Sequence, residues 1–221
     1  GICSQPAPLG IATIESLWLD RSLTQVGFVR AAADVLPNLQ PKEFFRPGQI
    51  DMHGNFNNIA FGDDYSQPRL RLPGSGGIPD VTTFIEDIHL YVPRHSRVTF
   101  VPQLDFISGL GHHPERRLGK GPNYLISDLG QFDFANGRMR LLSYHAGTSI
   151  ERIQAKTKFE LAIANDVHET PAPSAKELAL IREKIDPLGV RHLELLSGAA
   201  RRKLLRNILQ RERSTIEISA V

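Results

Sequence analysis

The stretch Gly74-Ser75-Gly76-Gly77-Ile78-Pro79-Asp80 constrains this chain more than any other. It follows an extended Arg69-Leu70-Arg71-Leu72 and runs straight into a proline. Proline is favoured in the first turn of a helix, where an N–H would have no intrahelical acceptor. The pattern therefore predicts a strand, a tight loop and a helix start. Such a loop leaves several backbone N–H groups unpaired and lets a ligand approach the main chain, and a helix N-terminus favours negative charge. It is not the G-x-G-x-x-G dinucleotide fingerprint, because Pro79 stands where the third glycine would fall, and no G-x-x-x-x-G-K-[ST] occurs. A plain glycine-rich turn is the alternative that these residues leave open.

Around this loop the chain alternates short strands with short helices. The first 48 residues are broken by Pro6, Pro8, Pro37, Pro41 and Pro47, with an apolar stretch at 11–19 and a strand expected at 25–29. Residues 48–61 read as a strand, a turn at His53-Gly54-Asn55 and a second extended piece. A helix is expected over 80–87 and strands over 89–93, 97–101 and 123–128. Asn136-Gly137 between the alternating runs 131–134 and 138–144 predicts a two-residue β-hairpin. Thr148-x-x-Glu151 and Ser174-x-x-Glu177 read as capping boxes opening two helices, the second ended by Pro187, with a strand at 159–164 between them. Together these elements predict an α/β fold with an open, largely parallel sheet flanked by helices.

At 221 residues the chain is one large or two small domains, and its 41% hydrophobic and 23% charged content is that of a globular protein. The single cysteine, Cys3, excludes an internal disulfide and points to a reducing compartment, hence a cytoplasmic location. No apolar run approaches the roughly 18 residues of a membrane span. The first residues lack the features of a signal peptide, and a start at Gly1 predicts that the chain begins inside a longer product. Residues 191–213 hold seven bases and two acids, leaving nineteen bases against twenty-two acids elsewhere. An amphipathic helix over 197–213 would put Leu204, Leu205, Ile208 and Leu209 on one face. Packing of that face on a partner subunit is the expectation; without aromatic interleaving, neither nucleic acid nor membrane is expected to bind. The domains expected are 1–190 and a basic helical tail over 191–221.

Four stretches, read in order, resemble the second (β) subunit of family I CoA-transferases, the glutaconate CoA-transferase type in particular. They are Gly48-Gln49-Ile50-Asp51-x-x-Gly54-Asn55-x-Asn57; Pro68 followed by Gly74-Ser75-Gly76-Gly77; Pro93-Arg94-His95-Ser96-Arg97-Val98-Thr99-Phe100-Val101 with Asp105-Phe106-x-Ser108-Gly109-x-Gly111-His112; and Ser127-Asp128-Leu129-Gly130-x-Phe132-x-Phe134, continued by His145-x-Gly147-x-x-x-Glu151 and Ile181-Arg182-x-x-Ile185-Asp186-Pro187. They span roughly residues 48–187; the basic tail lies outside them.

The resemblance implies a subunit that works with an α-type partner and moves coenzyme A from an acyl-CoA to a carboxylate such as a dicarboxylate or oxoacid. Coenzyme A enters as substrate, and no metal is expected. In the family a glutamate attacks the thioester, giving an anhydride and then an enzyme–CoA thioester. The resemblance places backbone contact to the oxyanion at Gly76 and Gly77. It also places Gln49, Asn55, Asn57, Gly74, Ser75, His112, Cys3 and Ser4 around the substrate or CoA pocket. For Asn55 the residues equally allow stabilisation of its own turn, and for Cys3 inert packing. His112 is expected in a mobile glycine-rich loop, and Arg94, His95 and Arg97 either meet CoA phosphates or form a solvated charge run. If Gly1 belongs to the family's glutamate-x-glycine turn, the nucleophile lies two positions before it. The alternatives are an acyl-CoA hydrolase or decarboxylase on the same scaffold, or a non-catalytic partner subunit.

Overall fold

The computed structural model describes residues 2–3, 10–11, 22–113 and 116–219. They fall into two compact units, one drawn from Gly1–Gly27 and Ala172–Val221, the other from Phe28–Pro171. In the first, β1 (Ile2–Cys3) pairs antiparallel with β2 (Ser22–Thr24). The strand expected at 25–29 is absent: helical structure begins at Phe28. The proline-broken stretch before residue 22 lies largely outside the described residues.

The larger unit opens with helical residues 28–39, including a π-helical Ala31–Val35. Then come β3 (Glu43–Phe45), β4 (Gln49–Ile50), β5 (Phe56–Asn57), β6 (Ala60–Phe61), β7 (Leu70–Arg71), α1 (Ile78–Phe84) and β8 (Ile88–Val92). They are followed by β9 (Pro122–Ser127), β10 (Gly130–Ala135), β11 (Arg138–Tyr144), α2 (Ile150–Ala155) and β12 (Ala162–Glu169). Six strands form one sheet in the order β12-β11-β10-β9-β8-β3. The pairs β3/β8, β8/β9 and β11/β12 are parallel, and β9/β10 and β10/β11 are antiparallel. The fold is therefore α/β, with a mixed sheet in which parallel pairing predominates.

Alternation decides which face is covered. Ile88, Leu90 and Val92 of β8, Leu125 of β9, Phe132 of β10 and Met139 and Leu141 of β11 are buried on one side, with Ile153 of α2 in the same core. Ile78 and Val81 of α1 pack against it. Each such side chain contributes roughly 1.5–3 kcal/mol relative to an exposed one. The hairpin follows its sequence signal: Asn136 (φ 52°) and Gly137 (φ 71°) both take the left-handed conformations of a two-residue turn.

Two local expectations change. Helix α2 is capped by Ser149, whose hydroxyl accepts from the Arg152 N–H, not by Thr148. Residues 97–101 form a turn rather than a strand, because Ser96 O accepts from the Thr99 and Phe100 N–H groups, and only Phe100 bridges to Ile50.

In the smaller unit, α3 (Ala175–Ala179) starts with the full Ser174/Glu177 capping box and continues as a π-helical Leu180–Ile185. Asp186 then accepts from the Val190 N–H at 2.6 Å and from the Arg191 guanidinium at 2.7 Å, starting the 3-10 turn Val190–Glu194. Helix α4 (Gly198–Ser219) exposes Arg201, Arg202, Lys203 and Arg206. Its Ile208 is already buried in the chain, so that position does not need the partner subunit expected to cover it. No helix of the described residues is long and apolar enough to cross a membrane.

Candidate functional site

Strand β7, the glycine loop and α1 take the predicted order, with Pro79 in the first turn of α1. Gly74 N–H donates to Asn58 O at 2.8 Å, and Ile78 N–H is shared between Ser75 O at 2.7 Å and Gly76 O at 3.0 Å. These bonds fix the ends of the loop. Between them, the N–H groups of Ser75, Gly76 and Gly77 meet no acceptor among the described residues. Gly74 (φ 105°) and Gly76 (φ 40°) hold conformations that side chains disfavour, and a Cβ on either would meet nothing within 4 Å among the described residues. The loop thus offers three adjacent donors, with open space at Gly74 and Gly76 among the described residues and the Phe28 ring 3.6 Å from a Cβ at Gly77, an arrangement suited to an oxygen that gains negative charge.

A cleft of about 470 Å³ lies against the stem of this loop, walled by Leu72 and Pro73, by Gly48 and Asn58, and by Arg46 and Arg94. Arg46 directly follows β3, and Arg94 stands two residues after β8, so the cleft opens at the carboxyl ends of two parallel strands. Open α/β sheets place ligands there. A side chain at Gly48 would come within 2.7 Å of Leu72 and 3.0 Å of Asn57 O, so glycine brings the β4–β5 hairpin onto the loop stem. Arg94 is exposed and has no acidic partner among the described residues.

The amides of this hairpin divide into two kinds. Asn57 is fully buried and saturated: Nδ2 donates to Gln49 Oε1 at 2.8 Å and Ala60 O at 2.7 Å, while Oδ1 accepts from the Ile59 and Ala60 N–H groups. It positions Gln49 and leaves nothing for a ligand. Asn55 holds its own turn, donating to Asp51 Oδ2 at 2.9 Å and accepting from the Gly111 N–H at 2.8 Å. Gln49, by contrast, lines a second cavity.

His112 sits apart from the glycine loop. Its Nε2 donates to Pro122 O at 2.7 Å, and its ring stacks on Phe134 beside Gly137. The loop carrying it is no open flap: a Cβ at Gly109 would fall 2.2 Å from the Phe56 ring, and one at Gly111 2.3 Å from the backbone of residues 53–55. Ser4 lies outside the described residues, and Cys3 is placed by its backbone on β1. Arg97 donates to Ala155 O at 3.2 Å.

His95 is wholly buried, which removes it from phosphate binding. Its ring stacks on Phe100 at 3.6 Å, between the Ser127 and Thr157 hydroxyls at 3.0 and 2.9 Å. Thr157 donates to Ile153 O, so its oxygen accepts from Nε2–H, and Nδ1 accepts from Ser127. Burial, aided by the nearby Lys156 charge, lowers its pKa to about 3. The carboxyl of Glu43 is raised by burial, and no glutamate lines any of the described clefts. The side chains of Arg69 and Lys158, which border the Gln49 cavity, carry no local motif by which sequence reasoning could find them.

No family model matches the chain. It is 32% identical over 174 residues to the B-type subunit of the 3-oxoadipate CoA-transferase of Pseudomonas knackmussii, covering 75% of this chain and 60% of that protein. It is 32% identical over 175 residues to the cholesterol ring-cleaving hydrolase IpdB subunit of Rhodococcus jostii, covering 75% of this chain and 68% of that one. The crystal structure of glutaconate coenzyme A-transferase from Acidaminococcus fermentans superposes with a TM-score of 0.72 at 25% identity, covering 87% of this chain and 78% of its counterpart. The match to the Pseudomonas protein thus takes in only three-fifths of that protein's length.

Proposed function

The chain belongs to the β-type subunits of family I CoA-transferases, and on that premise we propose that it is one half of a heteromeric enzyme moving coenzyme A between an acyl-CoA and a carboxylate. An α-type partner completes the site. The observation that carries this reading is the row of N–H groups at Ser75, Gly76 and Gly77 that meet no acceptor among the described residues, on a loop whose stem, Leu72 and Pro73, walls an open cleft.

In this reaction a carboxylate oxygen attacks the thioester carbonyl carbon, and the carbonyl oxygen takes up the displaced electron pair. The C–S bond then breaks and coenzyme A leaves as a thiolate. Thiolate attack on the resulting anhydride releases the first acid and leaves coenzyme A on the enzyme carboxyl, from which a second carboxylate takes it by the reverse steps. The overall reaction exchanges one thioester for another and so nearly balances in energy, and covalent catalysis by a carboxylate suffices. In the family the attacking carboxylate is that of a glutamate, and no residue of this chain is assigned that role. What this chain supplies is the oxyanion environment: N–H donors at Gly76 and Gly77, with Ser75 alongside. Each such donor is worth about 10²–10³ in rate where it has been removed from an enzyme. We place the acyl group in the cleft against the loop stem, whose apolar walls include Leu72, Pro73, Val92 and Pro93.

A second reading is favoured by the IpdB relative, whose name describes a hydrolase: water replaces the second carboxylate. One assay on the chain purified with its α-type partner separates the two. Transfer predicts label exchange between acyl-CoA and free acid with ping-pong kinetics. Hydrolysis predicts steady release of free thiol without an acceptor acid, and absence of both rejects the reading.

A further inference from the structure

Helix α1 has only seven residues, about 10 Å of length, too few to hold a helical conformation unaided. Yet it decides where the glycine loop aims its donors. Ser75 C=O and Gly76 N–H share one planar peptide, as do Gly76 C=O and Gly77 N–H. Both carbonyls accept from the Ile78 N–H, at 2.7 and 3.0 Å, and Gly77 O accepts from the Val81 N–H at 3.0 Å. A shift of α1 therefore turns the peptide planes that carry the Gly76 and Gly77 N–H groups. Toward the other end of α1, Arg116 Nη2 donates to Thr82 O, and its Nη1 donates to Leu110 O at 3.4 Å. The same seam is closed a second time by the Leu110 N–H, which donates to Thr82 Oγ1 at 3.2 Å. Gly119 leaves the room for this: a Cβ there would lie 2.8 Å from Thr83 O and 3.0 Å from Arg116 Nη2. A cation against the last carbonyls of a helix is favoured by the helix dipole. This one is nonetheless poorly placed for stability alone. It meets no acid among the described residues, burial lowers its pKa, and its Nε is the one buried side-chain nitrogen among them without a partner. Desolvation offsets much of what such a buried cation gains.

We propose that Arg116 is a positioning residue for the oxyanion donors: by joining Thr82 O of α1 to Leu110 O of the 109–112 loop, it fixes the tilt of α1 and with it the aim of the Gly76 and Gly77 N–H groups. The 109–112 loop is the anchor, because Gly109 is wedged against the Phe56 ring and Gly111 against the backbone of residues 53–55. Lysine would keep the charge but not the fork, since one ammonium does not reproduce two N–H groups held apart in a plane. The catalytic meaning rests on the CoA-transfer reading, but the aim of the donors is measurable without turnover.

Two variants test it, Arg116→Lys and Arg116→Ala, each purified with the α-type partner. In both, the amide NMR signals of Gly76 and Gly77 should move in the absence of ligand, while that of Gly147, in another loop, stays in place. The kcat for CoA exchange should fall about tenfold with KM for acyl-CoA unchanged, the pattern of a misaimed donor rather than of a damaged binding site. Guanidinium ion at millimolar concentration, too dilute to denature, should enter the space left in Arg116→Ala and return both the signals and the rate; tetramethylammonium should not. Gly76 and Gly77 signals unmoved in both variants would overturn the proposal. So would signals that move throughout the chain and do not return with guanidinium, which would make Arg116 a structural residue only. Signals restored by guanidinium in a heteromer that neither exchanges nor hydrolyses acyl-CoA would keep the positioning of the loop and reject the CoA reading. Exchange at the unsubstituted rate in both variants would do the reverse.

Discussion

Two glycine-rich loops of the same unit have opposite physical characters. At 74–77, Gly74 and Gly76 are glycine because the backbone turns left-handed; among the described residues a Cβ on either would touch nothing, and three successive N–H groups are unpaired. At 109–112, glycine is required because there is no room. Gly109 lies on the Phe56 ring and Gly111 on the backbone of 53–55, and the N–H groups of Gly109, Gly111 and His112 donate to Phe56 O, Asn55 Oδ1 and His53 O. One loop leaves its donors unpaired among the described residues, while the other uses them to lock the β4–β5 hairpin in place. Glycine content alone does not distinguish a site from a joint; the destination of the N–H groups does.

The sharpest way to break the comparison is to add one methyl to each loop. Gly111→Ala drives a Cβ into backbone that cannot yield and should cost about 3 kcal/mol or more, read from a urea-denaturation midpoint. The closed side also carries a pH signature through His95, whose folded pKa of about 3 lies below its unfolded 6.5. The unfolded chain then takes up the proton first. This contribution to stability is complete above about pH 6.5 and falls by about 1.4 kcal/mol per pH unit towards pH 3. Between pH 6.5 and 4.5 the loss is about 2–3 kcal/mol, and in His95→Gln that slope should vanish from the denaturation profile.

On the open side the expected effect is on rate. Gly76→Val has room but cannot keep φ 40° comfortably, so the N–H row shifts. Transfer activity should fall tenfold to a hundredfold, as small misplacements at a reacting centre do, while stability changes by about 1–2 kcal/mol. The smallest effect is at the hairpin: Asn136→Ala should cost about 1 kcal/mol in thermal unfolding, because alanine tolerates the left-handed turn less well.

How far the residues foretold this depends on the range of the forces involved. Turn and cap chemistry is local, so the Asn136-Gly137 hairpin, the Ser174/Glu177 box, Pro79 in the first turn of α1 and the amphipathic α4 were all legible. At α2 the cap moved one residue, to Ser149, because Thr148 and Ser149 offer the same chemistry and only the path of the chain selects between them. Residues 97–101 have strand composition but lie in a turn whose only ladder contact is Phe100 with Ile50. The site divides in the same way. The position of the glycine loop between β7 and α1 was readable from motif, whereas the saturation of Asn57, the burial of His95 and the gathering of Arg69 and Lys158 at the Gln49 cavity arise from contacts between distant segments. Nothing in the local sequence at residues 69 or 158 signals that meeting.

The proposed half-site works only if the N–H groups of Ser75, Gly76 and Gly77 receive a thioester oxygen. The most direct measurement is amide hydrogen exchange by NMR, with and without acetyldethia-coenzyme A, in which CH₂ replaces the thioester sulfur and the carbonyl is kept. Binding should slow exchange and shift the amide signals at 75–77 while leaving Gly109 and Gly111 unchanged. Ligand bound with no change at 75–77, or with the change confined to 109–112, would contradict it.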